Sequence, residues 1–135
     1  MVLKYSRSLE RKDSMNYIST RDKSVKVTAA KAISQGISAE GGLFVPDSFP
    51  VLTKEDFDKL SKLDYVGRAK CILSGFLNDF TADEVDYCVK GAYTNSFDNE
   101  QPAPISLIGK NANILELWHG PTCAFKDLAL QLLPY

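Results

Sequence analysis

Short β-branched and aromatic runs, separated by polar turns, set the first pattern along the chain. NYIST (16–20) and VKV (25–27) flank the polar turn RDKS and predict a strand pair. Thr28 occupies an N-cap position ahead of AAKAISQ, and Gly36 supplies the C-terminal stop of that first helix. AEGGLFVPDSFP then combines a Gly-Gly turn, a brief apolar run and prolines, which predicts a tight loop without continued regular structure. Three helices follow. Thr53 caps KEDFDKLSKL, with Asp56 in the first turn, where a negative charge suits the helix dipole. Asp64 opens YVGRAKCILSGFL, whose Tyr65, Ala69, Ile72, Leu73, Phe76 and Leu77 share one helical face. Thr81 and Glu84 form a capping box, and the helix they open carries Val85, Cys88, Val89 and Ala92 on one side.

The pattern changes at TNSFDNEQPAP (94–104), a polar stretch with two prolines and the character of a linker. PISLIG and NILELW read as strands separated by the turn residues GKNAN. HGPT breaks the second strand, and AFKDLALQLL has helical spacing, with Phe125, Leu128 and Leu132 on one stripe. The expected fold class is therefore α/β, with an α+β N-terminal domain: a small helix-rich unit with a short sheet over 15–95, a linker at 96–104, and at 105–135 the opening strands and helix of a second domain.

Composition narrows what such a chain does. At 135 residues and 44% hydrophobic content it can bury one core with a small satellite. Sixteen basic against seventeen acidic residues leave a net charge of -1, which argues against a nucleic-acid partner. The three cysteines, Cys71, Cys88 and Cys123, are widely spaced in apolar surroundings and read as buried thiols of a reducing compartment. With one histidine, His119, no His/Cys metal cluster is expected. No apolar run is long enough to span a bilayer. Residues 1–14 are polar and mildly basic, lack an apolar signal region, and are expected to be a disordered leader or extension outside the fold.

Lys126 is the residue that carries candidate chemistry. It interrupts an apolar run in the first turn of the last expected helix, whereas lysines are favoured near helix C-termini. There the dipole and desolvation should both lower the pKa of its amine, and such an amine can attack a carbonyl and form a Schiff base. Lysine stems also lie over apolar neighbours with the ammonium in water, and spacing alone favours that commoner reading. Asp127 fits a first-turn carboxylate matched to the dipole, Thr122 a helix cap, and His119 a loop histidine bonded to backbone.

LELWHGPTCAFKDLALQLLP (115–134) resembles the pyridoxal-phosphate lysine segment of the threonine synthase family, an H-G-P-T-x-x-F-K-D run. YISTRDKSVKVTAAKAISQGISAEGGLFVPDSFP (17–50) resembles that family's N-terminal domain, with its Y-x-S-T-R and G-G-L-F-V-P motifs. Two separated motifs in the right order cover the chain from about residue 15 to its end. The resemblance implies a fold-type-II pyridoxal-phosphate-dependent lyase of threonine biosynthesis, cytoplasmic, which converts O-phospho-L-homoserine and water to L-threonine and phosphate. It implies Lys126 as the Schiff-base lysine, and Phe125, Asp127 and His119 as residues that shape the cofactor pocket, with no metal, nucleic acid or membrane involved. Cys123 falls at a variable motif position and is expected to pack. The family's phosphate-binding loop lies downstream of the lysine, and the longest glycine cluster here is GG at 41–42. The chain is thus expected to be an N-terminal fragment that is inactive alone. Two alternatives stand beside this: a threonine synthase-like phospho-lyase producing 2-oxobutyrate, and a non-catalytic interaction domain.

Overall fold

The fold is that of a computed structural model, which describes residues 15–135; the expected leader at 1–14 lies outside the described residues. The predicted strand pair forms. β1 (Tyr17–Ser19) runs antiparallel to β2 (Lys26–Val27), with Tyr17 opposite Val27 and Ile18 opposite Lys26. The apolar run expected in a loop instead forms β3 (Phe44–Pro46), antiparallel to β1 on its other side, with Ser19 opposite Phe44. The sheet order is β2-β1-β3. Gly41, at φ 82, allows the reversal that returns the chain to β1, and the Gly42 backbone lies so close to the buried Ser19 hydroxyl that a Cβ would collide with it. Pro46 ends an edge strand, where its missing N–H costs no ladder bond.

The helices start where their caps dictate. Thr28 accepts from the Lys31 amide at 3.3 Å to open α1 (Ala29–Gln35), and Gly36 closes it at φ 74. Thr53 and Asp56 form a full capping box on α2 (Lys54–Leu60), and Asp64 accepts from the Gly67 amide at 2.7 Å to open α3 (Tyr65–Phe76). The Thr81–Glu84 box opens α4 (Ala82–Tyr93), whose Val85, Cys88, Val89 and Ala92 are all buried at the predicted spacing. α3 packs against α4, and Asp86 bridges Lys70 and Lys90 at 2.6 and 2.7 Å on the rim. The apolar face of α3 is only half covered, with Ile72 exposed, because α3 has one full helical neighbour and a small sheet. Tyr17 donates to the Phe76 carbonyl at 3.2 Å, tying sheet to helix.

After α4 the stretch read as a linker is anchored at several points. Phe97 stacks on Tyr93, Pro102 is fully buried, and the Asp98 amide donates to the His119 carbonyl at 3.0 Å. β4 (Ile105–Ile108) and β5 (Ala112–Leu115) form an antiparallel hairpin, Ile105 opposite Leu115. β5 stops at Leu115, short of the predicted Trp118: the Glu116 amide still donates in register to the Pro104 carbonyl at 2.9 Å, but Pro104 has no N–H to return the bond. Ile105, Leu107 and Leu115 lie on one face of the hairpin and Ile108 and Ile114 on the other, all exposed, the pattern of strands made for cover on both sides. The last predicted helix is much shorter than its spacing suggested: α5 covers Asp127–Leu130, and tighter turns continue it, with Leu132 donating to Ala129 and Tyr135 to Leu132.

Candidate functional site

The HGPTCAFKD segment forms a closed loop between β5 and α5. Its brace is Asp127. That carboxylate accepts from the Thr122 amide and from the Thr122 hydroxyl, each at 2.8 Å, while the Asp127 amide donates to the Ala124 carbonyl at 3.0 Å. Burial pushes the Asp127 carboxyl up, but the hydrogen bonds from Thr122 and at Ala124 outweigh it and hold the group below the usual carboxylate range. Gly120 makes the closure possible. A Cβ there would stand 2.5 Å from Asp127 Oδ2 and 2.8 Å from its Cγ, so the loop and the carboxylate meet only because position 120 has no side chain. Thr122 is therefore a donor to Asp127, and the cap expected of it is replaced by this bracket, because α5 begins four positions after a cap at Thr122 would start it.

Lys126 sits at the N-cap of α5 with helical backbone angles. It is exposed, and its ammonium has no hydrogen bond or ion pair among the described residues. The long helix whose dipole was expected to act on the amine is four residues, so that part of the sequence argument loses its physical basis. Phe125 beside it is 64% exposed. Cys123, expected to pack, is exposed at φ 57 on the turn before them; Cys71 is half-buried, its thiol pushed up chiefly by desolvation, and only Cys88 is the buried thiol expected of all three. A groove of about 340 Å³ along α4, lined by Phe80, Asp83, Glu84, Tyr87, Cys88 and Tyr135, contains none of Lys126, Phe125, Asp127 and His119.

His119 is placed by charge instead of by backbone. Its Nε2 lies 2.6 Å from Glu116 Oε2 and its Nδ1 2.6 Å from Asp98 Oδ1, and its side chain is 13% exposed. The hydrogen bonds to Glu116 and then Asp98 raise its pKa, because two carboxylates favour the protonated ring, in which both N–H groups can donate. Ser106 also donates to Glu116, and that bond together with His119 holds the Glu116 carboxyl below its usual range. A ring held between these two carboxylates ties Asp98 to Glu116 and fixes the segment 98–119. Asp98, Glu116 and Gly120 escaped the sequence reading. Glu116 stands three residues before His119, a weak local signal, whereas Asp98 is one acid among several in a polar stretch. The structure thus joins Asp127 to Thr122 and Gly120, and His119 to Glu116 and Asp98, and turns Phe125 and Lys126 outward.

Comparison with known proteins follows the same lines. Residues 16–93 match the family model described as threonine synthase N terminus. The chain is similar to human threonine synthase-like 1, 38% identical over 134 residues, covering 91% of this chain and 18% of that protein. It is similar to Escherichia coli threonine synthase, 35% identical over 114 residues, covering 84% of this chain and 25% of that one. Among solved structures, the PLP-bound threonine synthase of Brucella melitensis superposes with a TM-score of 0.82 at 36% identity, covering 89% of this chain and 26% of that one. Yeast threonine synthase gives 0.80 at 33% identity, covering 89% and 25%. The chain therefore spans 18% to 26% of the length of these relatives.

Proposed function

Because the chain belongs to the threonine synthase family, we propose that it forms the N-terminal domain and the cofactor-lysine segment of a pyridoxal-phosphate enzyme, with Lys126 as the attachment lysine. The observation that carries this reading is the exposed Lys126 ammonium, unpaired among the described residues, at the end of a loop closed by Asp127, Thr122 and Gly120. An amine that must engage an aldehyde has to be reachable and free of a carboxylate partner, and among the described residues Lys126 is both.

The described residues fit the aldehyde end of the cofactor. Lys126 would hold it, and the exposed Phe125 ring would flank it. Asp127 would act by keeping the loop closed, since its carboxylate is already spent on Thr122, and His119 by fixing the approach from β5. When bound, pyridoxal phosphate supplies an electron sink for carbanion chemistry next to the amino group. Lys126, once released, would move protons at the α and β carbons of the substrate. The parent reaction we assign is conversion of O-phospho-L-homoserine and water to L-threonine and phosphate, in the cytoplasm, where three free cysteines stay reduced. The domain division at 15–95, 96–104 and 105–135 belongs to the same reading, as does inactivity of the 135 residues alone.

A second reading stands beside it, a threonine synthase-like phospho-lyase acting on the same substrate, since the chain is similar to a threonine synthase-like protein as well as to threonine synthases. Product analysis separates the two. A protein carrying this chain at its N-terminus, given O-phospho-L-homoserine, should release threonine and lose turnover on Lys126→Ala; 2-oxobutyrate would establish the second reading. Turnover retained in Lys126→Ala would remove both.

A further inference from the structure

The lysine segment and the N-terminal helical unit meet at one hydrogen bond that neither motif announces. Tyr93 closes α4, four residues past the buried Val89 and at the edge of the stripe that faces the core. Its ring sits edge-on to Tyr65 at 5.2 Å and tilted against Phe97 at 6.1 Å, which fixes where the phenol points. The hydroxyl donates to the Leu128 carbonyl at 2.7 Å. That carbonyl lacks its ordinary helical donor: Leu132, four residues on, gives its amide to Ala129. Burial, with Tyr65 nearby, pushes the Tyr93 phenol up to about 12, so the group stays a donor across the working range of an enzyme. Close by, Gly91 leaves room for the Tyr135 ring, which also meets Tyr87 edge-on at 5.8 Å.

We propose that Tyr93 is a positioning residue that docks the lysine-bearing turn onto α4, so that the N-terminal domain sets where Lys126 stands. The geometry works from both ends. Asp127 fixes the loop before the lysine, and Tyr93 fixes the turn after it, through the carbonyl two residues beyond Lys126. The docking rests on the structure alone; its consequence for cofactor capture rests on the reading of Lys126 above.

The test compares Tyr93→Phe with Tyr65→Phe, which removes a hydroxyl from the same aromatic cluster. Amide hydrogen exchange is followed at Leu130 and Gln131, whose N–H groups donate to Lys126 and Asp127. Loss of one neutral hydrogen bond should speed their exchange about five- to tenfold in Tyr93→Phe, with no change in Tyr65→Phe or at the buried amides of α4. In parallel, pyridoxal phosphate is added, fixed with borohydride and mapped. The share of adduct on Lys126 relative to Lys110 in the hairpin turn should fall severalfold in Tyr93→Phe only. Equal exchange in the two variants, or acceleration spread through α4 as much as α5, overturns the docking. An unchanged Lys126 share in Tyr93→Phe overturns the positioning role. If unmutated chain gives no Lys126 adduct, the cofactor reading fails, and the exchange data still decide the docking.

Discussion

Gly120→Ala gives the sharpest test of the loop that presents Lys126. The added Cβ would stand 2.5 Å from Asp127 Oδ2, against a carbon–oxygen separation of about 3.3 Å at the closest ordinary approach. The Asp127 Cβ lies closer still, so the structure must give at least about 0.8 Å, and Asp127 is the group in the way. Its carboxylate is pinned by two bonds from Thr122, so it can yield only by giving those up. Overpacking of this kind costs about 1–3 kcal/mol. Gly120 has no positive φ, so the cost is contact and not backbone strain. Gly109 is the mirror case: at φ 62 with nothing near its Cβ position, Gly109→Ala carries a backbone cost alone, about 1–2 kcal/mol. Urea unfolding followed by Trp118, the single tryptophan and close neighbour of the loop, reads both variants. The decisive comparison adds Asp127→Gly to each background. The cost of Gly120→Ala should largely vanish there, while that of Gly109→Ala should persist. A Gly120→Ala cost below about 0.5 kcal/mol, or one indifferent to Asp127→Gly, would refute the close approach as the reason for glycine at 120.

Three further outcomes follow from the packing and charge. Val89→Ala removes fully buried methyl groups from the α3–α4 contact and should cost about 2 kcal/mol with an unchanged urea slope, whereas Val51→Ala, 82% exposed, should stay within about 0.5 kcal/mol. Thr81→Ala deletes the cap hydroxyl that serves the Glu84 amide and should lose about 1 kcal/mol in the same assay; no loss would mean the capping box does not hold α4 in place. The His119 clamp is pH-dependent. His119 is raised in the fold, so its stabilisation is complete below the unfolded value near 6.5 and drains away as pH climbs through the raised one. Glu116 is lowered, so its share is complete above its free value of 4.5 and is lost as pH falls through the depressed one. Protection of the Glu116 and Asp98 amides from exchange, corrected for the intrinsic pH effect, should therefore be greatest between those limits and decline on the alkaline side. His119→Gln should abolish the alkaline decline, and a decline that survives the substitution would contradict the clamp.

What the sequence carried plainly was local. Thr28, Thr53, Asp64 and Thr81 each cap a backbone amide within three residues, and the Val85, Cys88, Val89, Ala92 stripe needs only helical periodicity to show its buried face. Contacts across the chain were not legible. Phe44–Pro46 read as loop because its glycine and proline flanks dominate locally, whereas its pairing to Tyr17–Ser19 is long-range. The helix after Lys126 read as long from its apolar spacing, but only Asp127–Leu130 holds regular geometry, and the tighter bonds of Leu132 and Tyr135 follow it. At the site, the motif singled out Lys126, Asp127 and His119 and said little about their partners. Asp127 turns back to Thr122, and His119 finds Asp98 across 21 residues, both products of loop closure.

The central claim is that Lys126 is the lysine that takes pyridoxal phosphate. The direct measurement is incubation of the chain with the cofactor, fixation with borohydride, and peptide mapping of the adduct on every lysine, with Lys126→Arg beside it. The account predicts that Lys126 carries the largest share and that Lys126→Arg loses it without redistribution to one other site. Adduct spread evenly over the lysines, or absent from Lys126, would contradict it.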